Sequence, residues 1–287
     1  MDCGGNNYFM CNYENKNEDR KVLTQRNAAR YGKEETVRIP AYYQMIGVNA
    51  FQSNIKMKNL LLPNGLQEIS TNAFRCSKAL REVALPHSIY RVGNGCFAEC
   101  PSLRVAYLSN GLEEISEDLF RADRRLQKVL FTRDSEIKRI RKKAFYECTL
   151  NTILLPPKVE TIEDRAFYKC KELKKVRFPK GLKKVGKEAF YFCGLESLEL
   201  PDTVEVLDEK AFFKCMYLTE VTLPESIRRI EKWVFHGCAR LQVLEIRHDP
   251  EYIGEWIINK AARIRCYRGS KVDAYCQESG FTVEYIE

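Results

Sequence analysis

The feature that most constrains the fold of this chain is a phenylalanine that recurs at an almost fixed interval. The pair Ala-Phe, or a close variant, ends at nine positions that are 22 to 25 residues apart, most often 23. A period in this range indicates a solenoid, in which each repeat packs against its neighbours, so the sequence predicts one elongated domain. The nine positions are Phe51, Phe74, Phe97, Phe120, Phe145, Phe167, Phe190, Phe212 and Phe235.

Each repeat contains two short extended segments. Val83-Ala84-Leu85-Pro86 alternates between apolar and outward positions, as a strand does, and stops at a proline that cannot donate a ladder hydrogen bond. The segment 66–69 has apolar residues three apart and is expected to return the chain on the far side. A single repeat cannot bury its own apolar face. We therefore expect a parallel sheet of stacked strands and an inward row of stacked phenylalanine rings.

A small residue able to hydrogen-bond stands three places after every recurring phenylalanine, and six of the nine are cysteines. Side chains in register point the same way, which argues against disulfides between them, and a catalytic nucleophile is needed only once. The pattern predicts a buried structural ladder that satisfies backbone groups. The nine are Asn54, Ser77, Cys100, Asp123, Cys148, Cys170, Cys193, Cys215 and Cys238.

The repeat resembles a known family. Residues 173–190 read LKKVRFPKGLKKVGKEAF and match LxxVxLPxxLxxIgxxAF, the repeat of BspA-type leucine-rich repeats, which occur in bacterial surface proteins. The resemblance implies a right-handed curved solenoid, α/β to mainly β, with a parallel sheet on its concave side and about nine repeats plus terminal caps. It also implies binding of proteins or matrix components, an adhesin-like role at the cell surface, and no enzymatic activity.

The repeats divide the chain into three parts. We expect an N-terminal segment or cap at 1–36, the repeat domain at 37–246 and a C-terminal cap at 247–287. Asp19 to Tyr31 is expected to form a helix that ends before Gly32. Ser270 to Asp273 has the form of a capping box ahead of a short helix, and Phe281 to Ile286 alternates as a strand. The sequence leaves open whether Cys266 and Cys276 in this cap form a disulfide.

The localisation expected from the sequence differs from the one that the family resemblance implies. The longest apolar run in the first 35 residues, at 8–11, is too short for a signal peptide. The sequence therefore favours a cytoplasmic protein or an export signal outside it, whereas the resemblance implies a secreted or surface protein. No apolar run approaches the length of a membrane span.

A candidate binding surface follows from the outward strand positions. Five consecutive members, from Leu61 to Leu154, are apolar, and such a row on a monomer favours a protein-binding patch. The alternatives are a row covered by the N-terminal segment or by a second copy, or a register shifted by one residue. The outward positions, expected to contact a protein partner, are Arg38, Leu61, Ala84, Tyr107, Leu130, Leu154, Arg177, Glu199, Thr222 and Glu245.

Uneven charge supports a second hypothesis. Residues 121–187 contain 21 Lys/Arg against 8 Asp/Glu, although the whole chain has a net charge of only +8. A basic band of this kind is typical of surfaces that bind nucleic acid or another polyanion. The candidate residues are Lys138, Arg139, Arg141, Lys142, Lys143, Lys174, Lys175, Lys183 and Lys184.

One repeat is irregular. The interval from Phe120 to Phe145 is 25 residues, and 131–136 replaces the usual proline turn. Insertions in repeats form loops that often lie beside a binding face, although a harmless bulge is an equal alternative.

The chain offers little of the sequence chemistry of enzymes. It has three histidines, no Cys-x-x-Cys pair and no glycine-rich phosphate loop. We expect no catalysis, cofactor, metal site or small-molecule substrate.

Overall fold

The computed structural model describes residues 21–287. Its two helices are α1 (Gln25–Ala28), continued by a 3-10 turn at Ala29–Tyr31, and α2 (Lys271–Ser279). The strands are β1 (Val22–Leu23), β2 (Thr36–Arg38), β3 (Met45–Ile46), β4 (Asn59–Leu61), β5 (Glu68–Ile69), β6 (Glu82–Ala84), β7 (Arg91–Val92), β8 (Val105–Leu108), β9 (Glu114–Ile115), β10 (Lys128–Phe131), β11 (Arg139–Ile140), β12 (Thr152–Leu154), β13 (Thr161–Ile162), β14 (Lys175–Arg177), β15 (Lys184–Val185), β16 (Val206–Leu207), β17 (Glu220–Leu223), β18 (Arg229–Ile230), β19 (Val243–Ile246), β20 (Tyr252–Ile253), β21 (Arg263–Cys266) and β22 (Thr282–Tyr285).

The strands form two sets of parallel ladders. We name the first set the concave ladder; it contains β2-β4, β6-β8-β10, β12-β14 and β17-β19-β21-β22. The second set, the return ladder, contains β1-β3-β5-β7 and β9-β11-β13-β15-β16-β18-β20. The molecule is thus a parallel β-solenoid of about 11 turns with little helix, which confirms the predicted fold class. The sequence pattern predicts only nine repeats, because the flanking segments that contain β1 and β20 to β22 lack this pattern. In the structure these segments nevertheless continue the ladders.

The Ala-Phe turns form the third side of each repeat. Their backbones bond from one repeat to the next, as in Phe74 N to Cys96 O (2.9 Å) and Phe97 N to Leu119 O (3.0 Å). The nine recurring phenylalanines stack in one row, with adjacent ring centroids 5.0 to 5.9 Å apart and planes within 14° of parallel. This confirms the predicted aromatic row, which we call the phenylalanine spine.

Each of these turns needs two left-handed residues, which lie two places before and two places after the phenylalanine. Around Phe167 they are Arg165 (φ 56°) and Lys169 (φ 57°). Glycine takes such a position at Gly95 and Gly237, but in most turns a long polar residue does. The bonds between adjacent turns hold this backbone in place, because an isolated non-glycine residue adopts it at a cost.

The concave ladder is interrupted in three places, two of which coincide with a shortened repeat. The connection Cys148-Thr149-Leu150 precedes β12, which does not pair with β10, and it is one residue shorter than Cys170 to Leu173. The second shortened connection contains Gly194, where a Cβ would lie 2.2 Å from Lys171 O. The segment 197–200 that follows it forms no strand. The third interruption, between β4 and β6, lies in a repeat of ordinary length.

The two ends differ in how far they match the predictions. At the N-terminus the predicted helix from Asp19 to Tyr31 is wrong in extent, because β1 pairs with β3 and α1 begins only at Gln25; Asp19 itself lies outside the described residues. At the C-terminus Ser270 caps α2, and Gly280 (φ 67°) ends it. Strand β22 then pairs with β21 and forms the outer edge of the ladder. The limits 37 and 246 stay predictions.

Candidate functional site

The predicted outward positions lie along one side of the concave ladder. Parallel pairing in register places Ala84 beside Tyr107 and Tyr107 beside Leu130, so these side chains form a row along the solenoid. Nine of the ten positions are exposed, from Arg38 to Thr222. Glu199 is exposed too, but it lies in the segment that forms no strand because the preceding connection is shortened.

Glu245 departs from the prediction of an exposed side chain. It lies in register with Thr222 but is only 4% exposed. Its carboxylate accepts hydrogen bonds from Arg265 Nη1 (2.7 Å) and Arg247 Nε (2.5 Å). Burial raises the pKa of the Glu245 carboxyl, but the two guanidinium groups outweigh it and hold the pKa below its usual value.

The apolar part of the outward row is open to solvent. Leu61 is 40% exposed, Tyr107 41%, Leu130 43% and Leu154 64%, and Ala84 is exposed between them. We call these five residues the apolar row. No described residue covers them, so a register shift is ruled out. The alternatives of cover by the N-terminal segment or by a second copy remain untested.

A cavity of about 550 Å³ adjoins the apolar row where β10 and β12 fail to pair. Leu130 and Leu154 line it together with Phe131 and Phe178, and Arg133 and Lys180 are the only charged residues in its wall. The irregular repeat supplies one wall, since residues 131–133 belong to the insertion. The sequence predicts a loop here, but no feature of the repeat pattern points to Phe178 or Lys180, which come from a later repeat.

The predicted basic band is not one surface in the structure. Lys174 and Lys175 lie at the start of β14 in the concave ladder, whereas the other seven lie in or beside the return ladder. One row beside the return ladder alternates in sign, because Glu113, Lys138, Glu160 and Lys183 follow one another in successive turns. Five of the nine cations pair with a carboxylate from a neighbouring turn, namely Arg139, Arg141, Lys174, Lys183 and Lys184.

A second aromatic row runs beside the spine and was missed by the sequence analysis. It is formed by the residues that directly follow four spine phenylalanines, with ring centroids 4.7 to 5.1 Å apart. The two inner rings, Tyr168 and Tyr191, are covered on both faces by their neighbours, so neither offers a free face on which a nucleic-acid base could stack. Its members are Tyr146, Tyr168, Tyr191 and Phe213.

The cysteine ladder satisfies buried backbone carbonyls. Each of its six thiols donates to the carbonyl of the spine phenylalanine one repeat earlier, at 3.0 to 3.2 Å, and Ser77 does the same at 3.4 Å. Burial raises the pKa of the Cys100, Cys148, Cys193 and Cys215 thiols well above the usual range, which opposes formation of a reactive thiolate. These contacts are those of a structural ladder.

Asp123 occupies the same ladder position with a carboxyl group. It is fully buried, and its Oδ1 accepts from Cys100 N at 2.7 Å, while Oδ2 has no hydrogen-bond partner among the described residues. Burial raises the pKa of the Asp123 carboxyl well above its usual value. Asp123 therefore accepts a backbone hydrogen bond at a ladder position where the cysteines donate one.

Residues 21–287 include the two cysteines whose pairing the sequence leaves open. Cys266 and Cys276 are buried free thiols there. No group of three or more His, Cys, Asp or Glu side chains in this part of the chain is placed to hold a metal ion. Within the same range, no helix has the length and apolar character needed to cross a membrane.

Comparison with protein families matches the repeat pattern over most of the chain. Six copies of the BspA type leucine rich repeat region cover residues 26–139 and 138–265. The chain belongs to the BspA type leucine-rich repeat family. Membership in this family is consistent with a protein-interaction module. No curated protein sequence matches the chain.

Solved structures of bacterial leucine-rich repeat proteins are similar to this BspA type chain at low identity. A leucine-rich repeat protein from Bacteroides ovatus has 20% identity and a TM-score of 0.48, over 88% of this chain and 84% of that one. A leucine rich cell surface protein from Faecalibacterium prausnitzii has 19% identity and a TM-score of 0.49, over 93% and 83%. The pneumococcal vaccine antigen PcpA has 17% identity and a TM-score of 0.49, over 88% and 79%.

Proposed function

We propose that this BspA type chain is a non-catalytic protein-binding module, adhesin-like or a scaffold, that recognises a protein or matrix partner with its concave ladder. The observation that carries the proposal is the apolar row from Leu61 to Leu154, four of whose side chains are 40% to 64% exposed. Burying such side chains against a partner is favourable by about 25 cal/mol per Å² of apolar surface, before the costs of association.

The apolar row has the anatomy of an interface centre. Tyr107 stands in its middle, and tyrosine is enriched among residues that dominate binding energy. Polar residues flank the row at four of the five preceding outward positions, where Asn59, Glu82, Lys128 and Thr152 are exposed. The fifth, before Tyr107, is the half-buried Val105. An apolar centre with a polar rim is the usual arrangement of a protein–protein interface.

Polyanion binding through the basic band is the alternative function. Lys138, Lys142, Lys143 and Lys175 have no ion pair with any residue of 21–287, and they are the cations that such a ligand would use. The other five are already paired across turns, which lowers the net positive charge of the band. Polyanion binding should weaken steeply as salt rises, whereas binding at the apolar row should not.

The test compares charge substitutions on and off the concave ladder. Tyr107→Glu and Leu130→Glu are placed in the apolar row, and Tyr217→Glu and Ile55→Glu change residues of similar exposure (50% and 58%) outside that row. Partners captured from cell extracts or matrix preparations on the immobilised protein are quantified at 0.1 M salt. We expect the first pair to lose the partner that wild type captures and the second pair to retain it.

Equal capture by all four variants would contradict the proposed site. Sedimentation of wild type over a range of concentrations tests whether a second copy covers the row. A dimer that dissociates in the Tyr107→Glu variant would identify the occupant as another copy of this chain.

A further inference from the structure

The cavity beside the apolar row results from two irregularities in repeat length. The insertion adds two residues to the loop after β10, and the shortened connection before β12 removes one residue. The concave ladder opens between β10 and β12 as a result. Phe131 on one side and Phe178 on the other are only partly buried against the core, and both line the opening.

The size and lining of the cavity are those of a binding site. About 550 Å³ lies within the range of ligand pockets, and the wall is mainly apolar. It has room for a large aromatic or aliphatic side chain. Leu130 and Leu154 belong both to this wall and to the apolar row, so a chain lying along the row reaches the cavity directly.

The charge around the cavity has one sign. Arg133 and Lys180 line it, and neither forms an ion pair with a described residue, in contrast to the many cross-turn pairs of the return ladder. Lys175 and Arg177 in the adjacent strand β14 also have no ion-pair partner in the described chain. No aspartate or glutamate in the described part of the chain lines the cavity.

The acidic residues of the inserted loop are already engaged. Asp134 accepts from Asn110 Nδ2 at 2.7 Å, and Glu136 pairs with Lys158 at 2.5 Å. The cations at the cavity therefore have no carboxylate from their own loop as an ion-pair partner. They are available to carboxylates of a ligand, whose contacts would fix its orientation and speed association.

We infer that this cavity is the anchor site for an acidic segment of the partner protein, which inserts one large apolar side chain between Phe131 and Phe178 and places flanking carboxylates near Arg133 and Lys180. The inference rests on the proposed function, because it names the chemistry of the partner that the concave ladder recognises. Continuity with the apolar row favours an extended polypeptide over a free small molecule.

The test begins with a displayed library of random 12-residue peptides selected on the immobilised full-length chain. We expect enrichment of sequences with one bulky apolar residue flanked by Asp or Glu. The Kd of a selected peptide is then measured by fluorescence anisotropy. Alanine in place of its apolar residue should weaken binding about 30-fold, as for an interface hot spot.

Matched protein variants locate the peptide site. Arg133→Glu combined with Lys180→Glu should weaken binding by about tenfold or more, through loss and reversal of charge complementarity. Lys56→Glu combined with Lys78→Glu makes the same change in net charge at exposed residues away from the cavity and should have little effect. Thermal unfolding of each variant checks that the fold is kept.

The outcomes separate this inference from the proposed function. Peptides without acidic residues, no enriched peptide, or equal loss in both double variants would overturn the inference. So would binding of laurate, a small apolar carboxylate, with no peptide binding. Loss of the protein partner in Leu61→Glu and Tyr107→Glu, with full binding by the cavity variant, would overturn the anchor site and leave the concave ladder as the interface.

Discussion

The two halves of the concave ladder share a backbone and differ in what their outward side chains contact. In the N-terminal half the apolar row lies open to solvent. In the C-terminal half Arg265 joins Glu220, Glu245 and Glu284 in one ion-pair network across β17, β19, β21 and β22. The network at the C-terminal end pairs its own charges, whereas the apolar row leaves apolar surface that a partner can bury.

The residues available for recognition in this solenoid are separate from those that hold the fold together. The spine is continuous through both halves, with Phe120 and Phe212 each fully buried between two stacked neighbours. Neighbour contacts of this kind hold a repeat protein together. The outward strand positions can therefore vary from one repeat to the next without changing the core.

Removal of one spine ring from each half tests whether the cores of the two halves are equally stabilising. Phe120→Ala in the open half and Phe212→Ala in the paired half should each lower the free energy of unfolding by about 4 kcal/mol, through lost burial and the cavity left behind. Urea denaturation measures both. If the two losses in free energy of unfolding differ by more than about 2 kcal/mol, the cores of the two halves are not equivalent. The surface ion pairs would then also stabilise the half that contains them.

Features that recur in every repeat could be predicted from the sequence. The spine and the cysteine ladder follow from residue types at fixed positions, because stacking in register turns a recurrence along the chain into a row in space. The exposure of the apolar row could also be predicted, because side chains alternate along a strand and this alternation fixes which side each residue faces.

Features that depend on contacts between different repeats could not be predicted in this way. The burial of Glu245 depends on Arg265, which lies beyond the last recognised repeat. The cavity requires Phe178 to lie across from Phe131, 47 positions earlier in the chain, at a break in the ladder. Left-handed positions such as Arg165 and Lys169 carry no glycine signal, because neighbouring turns hold their backbone.

The two halves also contain buried carboxyl groups that should respond to pH in opposite ways. No cation among residues 21–287 pairs with the Asp123 carboxyl, and burial raises its pKa. Glu245 has two guanidinium partners, and its pKa is lowered. Asp123 and Glu245 therefore differ in the same way as the apolar row and the Arg265 network.

Asp123→Asn should stabilise the protein at neutral pH. When a carboxyl has a higher pKa in the folded state, the unfolded chain loses its proton first, so stability falls as the pH rises above the ordinary value of 3.8. Asparagine keeps the acceptor for Cys100 N and has no proton to lose. We expect a gain of about 2 kcal/mol at pH 7 that disappears below pH 3.8, measured by denaturation at both pH values. A loss of stability at pH 7 would mean that Asp123 is ionised and stabilised in the fold.

Glu245→Gln should have the opposite and smaller effect. The folded-state pKa of Glu245 lies below its ordinary value of 4.5, so its contribution is complete above 4.5 and is lost as the pH falls through the folded-state pKa. Glutamine retains one acceptor but loses the charge between Arg265 and Arg247, and we expect a cost of about 1.5 kcal/mol at pH 7 that shrinks in acid. Glu284→Gln, which removes a more exposed partner of Arg265, is the control and should cost less.

Because the apolar row lies in the other half, neither Glu245→Gln nor Glu284→Gln should alter partner binding. If Glu245→Gln did weaken binding, the C-terminal strands that carry the Arg265 network would also belong to the interface. The contrast between these strands and the apolar row would then fail.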